Sequence, residues 1–537
     1  MFFTLAVSAR AADVCAALTD RARVTDPRVM PIPGPAEIVW RAADGCAAIV
    51  RWGPAAGPAV VPAVGPGDAP EIASHAGTIW AAPAAGGGHS SLYARTSLTR
   101  VDPVYAAEVP GAVILCDRAM WAAAVANRLG DHDPALACAL LNTGYPLGAT
   151  TPFKGVSALP PAASALAVSG RLTVDSAGTS PGSESGATAA EVAAALVAAV
   201  TPLRTGGETV ELSLTGGKDS RLVAAALVAA GVPVRGKTHG FAAHPDVVVA
   251  AEVARVLGIA HTVTEPAAPG QQTDVAGRLR ATVLVADGML SAFENVGRPD
   301  PARSPALTAG GHGGELLRGG YAEVAAGRRA APLRAAEVLR RLTTKHLGLL
   351  RHGAAAGYVA GLSPWSGTAL AHGPLRALDD FYLVNRAGRW SAAARQAYLI
   401  RERLVQPLFD EQVVRAARAV PLAHRVSGGL TRAVLTELSP ALADVPYAGK
   451  PAKGSVPATF DWRRQYGLEI ASFLRDYTLD LGVTGGLFDV VSRAAAEKAL
   501  TPPHDDRATV WALTTLACLL SGDYRNARDP ASLLSVT

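Results

Sequence analysis

The chain has 537 residues, of which 49% are hydrophobic and 18% are charged, so it can bury sizeable cores and is not disordered in bulk. At roughly 100–200 residues per domain, this length predicts about two to four domains. The formal net charge of +5 is mild over such a length. It is compatible with an anionic small-molecule substrate and gives no reason to expect a nucleic-acid partner.

Cysteine usage and the start of the chain bear on the cellular compartment. Five widely spaced cysteines without a CxxC pair argue against a disulfide framework and against a zinc site. The apolar segment Met1–Ala9 has no preceding lysine or arginine, which favours a first strand over a signal peptide. No uninterrupted apolar run approaches the roughly 20 residues that span a bilayer. We therefore expect a soluble, cytoplasmic protein with no membrane partner.

Residues 1–175 have the pattern of a β-rich domain, in which short apolar or alternating runs are separated by glycine- and proline-rich turns. The predicted strands are Phe2–Ser8, Glu37–Arg41, Cys46–Trp52, Val113–Cys116 and Leu166–Val174. The stretch Asp175–Gly186 has no large apolar residue, so residues 176–187 are predicted to be a linker. A second, larger domain is predicted over residues 188–537.

The second domain begins with alternating helix and strand signals. Thr188 followed by Glu191 is typical of a capping box at the start of a helix. The next predicted elements are the strand Thr209–Leu214, the helix Ser220–Ala230, the strand Val234–Gly240, the helix Val247–Leu257 and the strand Ala260–Thr264. Such alternation predicts an α/β fold with a parallel, doubly wound sheet. From Pro332 onwards the pattern is mainly helical.

The segment Thr215–Ser220 has the features of a phosphate-binding loop between a strand and a helix. Two glycines let the backbone approach a ligand closely, and the free N–H groups at the helix start favour an anion. Thr215 and Ser220 add hydroxyl donors, and Lys218 adds positive charge. Asp219 would repel a phosphate directly, so it is interpreted as a ligand of the Mg²⁺ bound to that phosphate. The alternative is an ordinary Gly-Gly turn with an acid near the helix start.

The spacing of this loop excludes two common nucleotide motifs and resembles a third. It lacks the GxxxxGK[ST] spacing of a Walker-type loop and the GxGxxG spacing of a dinucleotide fold. It resembles the SGGxDS motif of the ATP-pyrophosphatases, with Thr215 in place of the first serine. Members of that family cleave ATP to AMP and pyrophosphate and use the AMP to activate a carboxylate. The resemblance implies nucleotide binding by Ser213, Thr215, Gly216, Gly217, Lys218, Asp219 and Ser220, and by Thr238 and Gly240 of the next strand.

A second glycine-rich loop, Gly310–Tyr321, resembles the SGEGADELFGGY motif of the asparagine synthetase family. In that resemblance Glu315 stands at the position of an aspartate that binds Mg²⁺, and Gly311 and Gly313 let the backbone approach the nucleotide. His312 stands where asparagine synthetases have glutamate and β-lactam synthetases have tyrosine, at a position tied to activation of the attacking nitrogen. A neutral imidazole is a sensible base for an amine. The alternatives are a flexible loop before a helix and a histidine that only hydrogen-bonds within it.

Two further segments extend the resemblance towards the C-terminus. Leu404–Asp410 resembles the family's EvRvPFLD segment, but Arg403 stands where its glutamate is expected, so the acidic partner of the base stays open. Pro446–Gly454 resembles a loop that supplies a lysine to stabilise the charge of the adenylate and pyrophosphate. Lys453 is the first candidate for that catalytic lysine and Lys450 is the second.

The residue at position 2 separates the branches of this family. Glutamine-dependent asparagine synthetases use a cysteine there as nucleophile, whereas this chain has Phe2. Residues 1–175 are therefore expected to form a degenerate Ntn-glutaminase-like domain of α+β class without glutaminase activity, and Val113–Trp121 still resembles part of that domain. The amino-acid sequences of the two loops most resemble those of the lasso peptide macrolactam synthetases, or lasso cyclases. The Lys-Gly pair at Lys453 resembles that branch as well.

This resemblance implies a parallel-sheet, asparagine synthetase-like ATP-pyrophosphatase domain with a helical C-terminal part, which uses ATP and Mg²⁺. The implied reaction adenylates an Asp or Glu side chain of a precursor peptide. The peptide's N-terminal amine then closes a macrolactam, with release of AMP and pyrophosphate. A leader-peptide-binding protein and a leader peptidase are implied partners. The alternatives kept open are a β-lactam synthetase, an ammonia-dependent asparagine synthetase and, in another class, a non-catalytic nucleotide-binding scaffold.

Overall fold

The structure is a computed structural model, and the residues that it describes are 3–23, 37–52, 78–82, 91–176, 186–265, 274–294, 296, 307–326, 331–363, 365, 372–399, 403–449, 463, 466–504 and 506–526. Within them the chain forms three sheets. Two are antiparallel and belong to the N-terminal part, and the third is parallel and follows it along the chain. This mixed organisation agrees with the α/β class predicted from the sequence.

The strands are numbered in chain order. They are β1 Phe3–Ala9, β2 Glu37–Arg41, β3 Ala47–Trp52, β4 Thr78–Ala82, β5 Ser91–Arg95, β6 Tyr105–Val109, β7 Ala112–Cys116, β8 Val156–Ala158, β9 Ala163–Val168, β10 Arg171–Ser176, β11 Val210–Ser213, β12 Val234–His239, β13 Ala260–Thr264, β14 Leu307–Gly310 and β15 Arg403–Val405. The first four strands predicted from the sequence match β1, β2, β3 and β7 within about one residue at each end.

The two antiparallel sheets pack face to face. Their strand orders are β2-β3-β1-β7-β6-β8 and β10-β9-β5-β4. Side chains of β1 alternate between two environments, because successive residues of a strand point to opposite faces. Leu5 and Val7 belong to a core shared with helices, whereas Ala6 packs with Ala94 of β5 in the core between the sheets. The N-terminal part is therefore a two-sheet sandwich with helices on one face.

One predicted strand is wrong. The sequence predicts a single strand over Leu166–Val174, but β9 and β10 form a hairpin there, with Val168 opposite Arg171. Ser169 and Gly170 have φ values of 48° and 70°. Two successive positive φ values are typical of the tight turns that match the twist of a hairpin. Apolar residues continue on both sides of this turn, so the hydrophobic pattern alone does not indicate where the first strand ends.

The parallel sheet has the strand order β13-β12-β11-β14-β15. The central strand β11 pairs with β12 on one side and with β14 on the other. Where the strand order reverses in this way, a crevice opens at the carboxyl ends of the strands, and ligands bind there in α/β proteins. The parallel sheet predicted from the alternation of strands and helices is confirmed, whereas β14 and β15 are short strands that the sequence did not predict.

Helices cover the sheets and dominate the C-terminal part. The α-helices are Ala12–Arg23, Ala119–Val125, Pro134–Thr143, Ala189–Val200, Lys218–Ala229, Pro245–Leu257, Val275–Val285, Tyr321–Ala325, Ala331–Thr344, His352–Gly361, Pro374–Phe381, Ala392–Leu399, Glu411–Ala419, Leu422–Val426, Gly429–Leu438, Pro440–Ala443, Leu468–Thr484, Leu487–Val490, Arg493–Leu500 and Arg507–Ser521. The segment Tyr382–Ser391 is a π-helix. The mainly helical pattern predicted after Pro332 is confirmed.

Two helix starts bear directly on the predictions. Thr188 and Glu191 form the expected capping box, in which each side chain accepts a hydrogen bond from the other's backbone N, at 3.3 and 2.7 Å. The helix after β11 begins at Lys218, slightly earlier than predicted, and its N-cap is Gly217. Glycine has no side chain that can cap a helix, so the first N–H groups of this helix remain available to a ligand.

The N-terminal sandwich and the later helices share one large hydrophobic core, which contains Trp121 and Trp511. A buried ion pair crosses the same contact. Nε of Arg118 donates to the two carboxylate oxygens of Asp287 at 3.0 and 3.1 Å, and the backbone N of Ala119 donates to that carboxylate at 2.8 Å. The two predicted domains therefore meet over a buried interface. Of the predicted linker, Ser176 ends β10, and residues 177–185 lie outside the described residues.

The cysteines of this chain are free thiols. All five cysteines lie in the described part of the chain and are free, which agrees with the prediction of no disulfide framework. Four of them are buried, and Cys46 is partly exposed. Among the described residues, no helix is long and apolar enough to cross a membrane.

Candidate active site

The two glycine-rich loops meet at the carboxyl edge of the parallel sheet. The first follows β11 and the second follows β14, and these strands are hydrogen-bonded neighbours. A Cβ added at Gly311 would overlap the backbone N of Ser220, and one added at Gly314 would overlap the carboxylate of Asp219. Only glycine permits so close an approach. Two segments that the sequence marked separately therefore form one site.

The first loop is closed by its own hydroxyl groups. Oγ of Ser220 lies 3.0 Å from both the backbone N and Oγ1 of Thr215. Oγ1 of Thr215 also accepts a hydrogen bond of 3.2 Å from the backbone N of Gly217. The two hydroxyls predicted to contact phosphate thus fix the shape of the turn. Ser213, the last residue of β11, is exposed at the same edge of the sheet.

Asp246 orders the start of the first loop from the neighbouring helix Pro245–Leu257. Its Oδ1 accepts a hydrogen bond of 2.8 Å from the backbone N of Gly216. A Cβ added at Gly216 would lie 3.0 Å from Cβ of Val249 and 2.7 Å from Cβ of Ala448. Gly216 is therefore required by packing, and Asp246 acts on the backbone of the loop.

Arg221 ties the segment before the predicted lysines to the first loop. Its buried guanidinium donates to the carbonyl oxygen of Val445 at 2.6 Å and lies 4.5 Å from the ring centroid of Tyr447. The backbone N of Ala448 then donates to the carbonyl oxygen of Gly216 at 3.1 Å. The described chain therefore runs along the first loop as far as Ala448. The predicted catalytic residues Lys450 and Lys453 follow it and lie outside the described residues.

The segment Leu404–Asp410 supports the second loop from below. Gly313 has a φ of 97°, and a Cβ added there would lie 3.0 Å from Cδ1 of Phe409. A side chain at this position would be strained and crowded at once. Asp410 caps the helix Glu411–Ala419. This stretch therefore shapes the site through packing.

Arg403, at the position where the resemblance to the asparagine synthetase family predicts an acid, lies away from the site. It pairs with Glu208 at 2.7 Å and stands opposite Leu307, the first residue of β14. Parallel strands begin at the edge of the sheet opposite to their carboxyl ends. Arg403 therefore lies at the edge of the sheet opposite to both loops. This position in the chain does not supply a partner for His312.

Asp219 takes part in a network of charges that links the loops. Arg318 donates to its Oδ1 and, at 3.4 Å, to its Oδ2. Nε of Arg318 lies 2.9 Å from the carboxylate of Glu323, and Nζ of Lys218 lies 3.8 Å from that same carboxylate. Burial away from water raises the pKa of Asp219 above its ordinary value, and the Arg318 guanidinium offsets only part of that rise.

Asp219 and Glu315 are the carboxylates expected to hold Mg²⁺. They are close enough for the charge of Glu315 to contribute to the raised pKa of Asp219, after burial. The described part of the chain contains no group of three or more His, Cys, Asp or Glu that could hold a metal by itself. Mg²⁺ is often bound by one or two carboxylates together with substrate phosphates and water. The pair therefore fits a Mg²⁺–nucleotide complex rather than a metal cage made by protein alone.

His312 lies beside these carboxylates, with part of its surface open to solvent. The surrounding protein shields it from water and so lowers its pKa below the ordinary 6.5, and the charges of Glu315 and Asp219 offset this only in part. The imidazole is therefore neutral at neutral pH, which is the form that accepts a proton. Burial and the neighbouring Glu315 raise the pKa of Tyr382, so its phenol stays protonated next to that carboxylate.

Thr238 and Gly240 lie at and just beyond the carboxyl end of β12. The hydroxyl of Thr238 is buried, donates to the carbonyl oxygen of Leu214 at 2.7 Å and lies 2.7 Å from Nε2 of His261. The backbone N of Gly240 donates to the carbonyl oxygen of Thr264 at 3.0 Å. These bonds join neighbouring strands beneath the first loop. A direct contact of either residue with a nucleotide stays a prediction.

The N-terminal part adds a residue that the sequence did not indicate. The hydroxyl of Tyr145 lies 2.9 Å from the hydroxyl of Tyr321, the last residue of the second loop. Nearby, the backbone N of Gly148 donates to Oδ1 of Asn385 at 2.9 Å. Arg386 follows Asn385, and its charge acts on Tyr321. These residues come from distant parts of the chain, and no local motif marks them.

A cavity of about 510 Å³ borders this wall of the site. Its lining is mostly apolar and is formed by the N-terminal part and the later helices; it includes Leu147, Gly148, Gly357 and Trp365. Leu147 and Gly148 follow Tyr145 closely in the chain, so the cavity and the site share one segment. A volume of this size is typical of pockets that hold small ligands or a few peptide side chains.

Comparison with known proteins gives this chain no family. No model of a known protein family matches it, and no curated protein matches it. The interpretation of the site therefore depends on the geometry of the two loops and of the residues around them.

Proposed function

We propose that this chain is an AMP-forming, ATP-dependent amide ligase that closes a macrolactam within a lasso peptide precursor. One observation carries the proposal. The two glycine-rich loops converge where the strand order reverses, with Asp219, Glu315 and His312 around one crevice. Crevices of this type bind nucleotides in many α/β proteins, and this one combines acids for a metal with a neutral base.

The first half-reaction would activate a carboxylate. A side-chain carboxylate of the peptide attacks the α-phosphorus of ATP, the bond to pyrophosphate breaks, and an acyl-adenylate forms. The uncapped N–H groups at the start of the helix Lys218–Ala229 would stabilise the phosphate charge. Asp219 and Glu315 would hold Mg²⁺, which adds positive charge to the phosphates when bound. To bind the metal, Asp219 would give up part of its ion pair with Arg318.

The second half-reaction would close the ring. The N-terminal amine of the peptide attacks the acyl carbon, and AMP leaves with the electron pair of the broken bond. The amine loses a proton in this step, and His312, neutral and exposed beside Glu315, would accept it. Holding amine and acyl carbon in contact would supply much of the acceleration, because the reaction is within one molecule.

A lysine would stabilise the charge on the departing AMP. Lys453 and, second, Lys450 are the candidates, and both follow the segment that Arg221 and Gly216 hold against the first loop. The described chain reaches the first loop at Ala448, two residues before Lys450 in the sequence. The charge of an ammonium next to a developing anion is a common source of rate acceleration.

The peptide would use the cavity of about 510 Å³ next to Tyr145. Its apolar lining, including Leu147 and Trp365, suits peptide side chains rather than a free ammonium ion or aspartate. A leader-peptide-binding protein and a leader peptidase are proposed partners on the resemblance to lasso cyclases alone.

The proposal is tested with the full chain, ATP, Mg²⁺ and synthetic peptides that begin with glycine and carry one glutamate a few residues later. We expect AMP, pyrophosphate and a peptide lighter by one water, with the glutamate joined to the N-terminus. Formation of asparagine from aspartate and ammonia would instead establish an asparagine synthetase. Binding of ATP without AMP formation from any peptide would favour a nucleotide-binding scaffold.

A further inference from the structure

An arginine outside the two loops faces the candidate site. Arg386 belongs to the π-helix Tyr382–Ser391 and is half-buried. Its guanidinium carbon lies 3.5 Å from the ring centroid of Trp390 and 5.8 Å from that of Tyr145. Stacking on aromatic rings holds a guanidinium in a fixed orientation while its N–H groups stay available. Helices of the π type are rare and are frequent at functional sites.

Arg386 has no carboxylate within ion-pair distance among the residues that the structure describes. Two buried arginines near the site differ from Arg386 in this respect, whereas the buried Arg221 donates to backbone carbonyl oxygens. Arg318 pairs with Asp219. Arg425 pairs with Asp379 at 2.8 Å. A partly buried cation without an anion can form a strong, charge-assisted hydrogen bond with an anionic ligand.

The charge of Arg386 reaches groups on both sides of the crevice. Burial lowers the pKa of His312 most, and Arg386 lowers it further. Burial raises the pKa of Tyr321, and Arg386 offsets part of that rise. Glu315 acts on both groups in the opposite direction. The Arg386 guanidinium is therefore within electrostatic range of His312 and Tyr321.

Two anions enter the proposed reaction, namely the phosphates of ATP and the carboxylate of the peptide. The phosphates have the uncapped helix start at Gly217 and the side chain of Lys218. Arg386 instead adjoins the peptide cavity, because its neighbour Asn385 bonds the backbone of Gly148, and Gly148 lines that cavity. The position of Arg386 favours the peptide carboxylate.

We propose that Arg386 binds the side-chain carboxylate of the peptide that becomes adenylated, and so selects Asp or Glu as the acceptor. This inference rests on the proposed function and names its acceptor subsite. A planar guanidinium matches the geometry of a carboxylate. Arg386 makes and breaks no covalent bond; it orients the carboxylate towards the α-phosphorus of ATP, opposite the amine that His312 would deprotonate.

The test measures binding rather than turnover. The probes are two short fluorescent peptides that begin with glycine and differ only in carrying glutamate or glutamine at the acceptor position. Their affinities for the full chain are compared by fluorescence anisotropy in wild type, Arg386→Met, Arg386→Lys and the control Arg340→Met. Methionine keeps an apolar stem against Trp390, and Arg340 is an exposed arginine paired with Glu337 on a surface helix. Thermal melts report whether each variant is folded.

We expect wild type and Arg340→Met to bind the glutamate peptide at least about tenfold more tightly than the glutamine peptide, as a lost charge-assisted hydrogen bond would cost. Arg386→Met should bind both peptides alike, and Arg386→Lys should recover part of the difference. Equal binding of the two peptides by wild type, or unchanged discrimination in folded Arg386→Met, would overturn the inference. A loss of Mg·ATP affinity in Arg386→Met with peptide discrimination intact would also overturn it, since it would assign the arginine to phosphate.

AMP formation is read separately in the same samples. Intact discrimination between the peptides without any AMP would refute the proposed ligase while leaving the carboxylate subsite in place. AMP formation without discrimination would do the reverse. The two proposals therefore fail in distinguishable ways.

Discussion

The guanidinium of Arg318, on the second loop, holds the carboxylate of Asp219, on the first. It donates to Oδ1 and, at 3.4 Å, to Oδ2. The acid that is expected to hold Mg²⁺ is thus paired within the protein itself. Because the same arginine also pairs with Glu323, it would keep a partner if a nucleotide and a metal competed for Asp219. The ion pair therefore joins the two loops, and it would leave Asp219 able to bind the proposed Mg²⁺.

Removing the charge of Asp219 should stop adenylation. Asn at this position keeps the shape of the side chain but binds Mg²⁺ poorly, so we expect Asp219→Asn to lower AMP formation by roughly 10²–10³-fold. The measurement is pyrophosphate release at saturating ATP and Mg²⁺, and chelation of Mg²⁺ should abolish it in wild type. Glu252→Gln is the control, because Glu252 pairs with Arg255 on the surface of the next helix. Equal rates in both variants would remove Asp219 from the site.

Replacing His312 should separate the two half-reactions. We expect His312→Gln to retain ATP–pyrophosphate exchange but to lower ring closure by about 10²–10⁴-fold, the range for loss of a general base. Exchange and cyclised peptide are measured in parallel, with the exposed His424→Gln as control. Equal loss of exchange and ring closure would assign His312 to nucleotide binding.

The fall in the rate of ring closure at low pH should reflect protonation of His312. A base works only when it is neutral, and shielding from water lowers the pKa of His312 below 6.5. Activity should therefore stay constant down to that pH and fall only as pH drops through the lowered pKa. A pH profile of the ring-closing rate from the isolated acyl-adenylate stage checks this. A limb that begins above 6.5 would contradict the assignment.

The contact between the loops predicts a sharp difference between two glycines. A methyl group at Gly311 would meet the backbone of Ser220, which cannot move aside, so Gly311→Ala should destabilise the fold by about 1–3 kcal/mol and weaken ATP binding. Gly348 has open space around the position of a Cβ, and Gly348→Ala should change stability by less than about 0.5 kcal/mol. Urea unfolding and ATP titration measure both effects. A stable Gly311→Ala protein with normal ATP affinity would show that the loops are not in contact.

A half-buried acid in the N-terminal part, Asp117, predicts how stability depends on pH. Burial raises the pKa of Asp117 from 3.8 to about 8, while a 2.7 Å hydrogen bond from the backbone N of Thr4 opposes the rise. The folded chain holds this proton more tightly than the unfolded chain does. The resulting stability is complete below about pH 4 and is lost as pH rises towards 8.

Asp117→Asn cannot ionise, yet its carbonyl oxygen can still accept from Thr4. We expect the variant to gain more than about 1 kcal/mol relative to wild type between pH 5 and pH 9. Chemical unfolding at the two pH values gives this difference, and the exposed Asp476→Asn serves as control. A difference between variant and wild type that does not change with pH would mean that Asp117 titrates normally.

The sequence predicted the first loop well because its signal is local. Alternation in Thr209–Leu214, two glycines and a helix start follow one another without interruption, and each element forms close to where it was predicted. The sequence also points to Asp246, a carboxylate close to Thr238 and Gly240 that is expected to help order the nucleotide side of the site. The hairpin at Ser169 and Gly170 was missed, although a Ser-Gly pair inside an apolar run is itself a turn signal.

The union of the two loops could not be predicted from the residues alone. It depends on β14 lying next to β11 in the sheet. No local sequence pattern determines the order of strands in a sheet. The partner of Arg318 was hidden for the same reason. Tyr145 and Arg386 carry no motif, because each meets the site across a contact between segments far apart in the chain.

The core that holds Trp121 and Trp511 together has a practical consequence for dissecting the protein. A chain cut between residues 176 and 186 would lose one covalent link but none of the apolar contact and none of the Arg118–Asp287 pairing. Two fragments expressed together should therefore reassemble into one working particle. Either fragment expressed by itself would carry half of that core into water and aggregate. The N-terminal piece therefore covers apolar surface that the rest of the chain would otherwise expose to water.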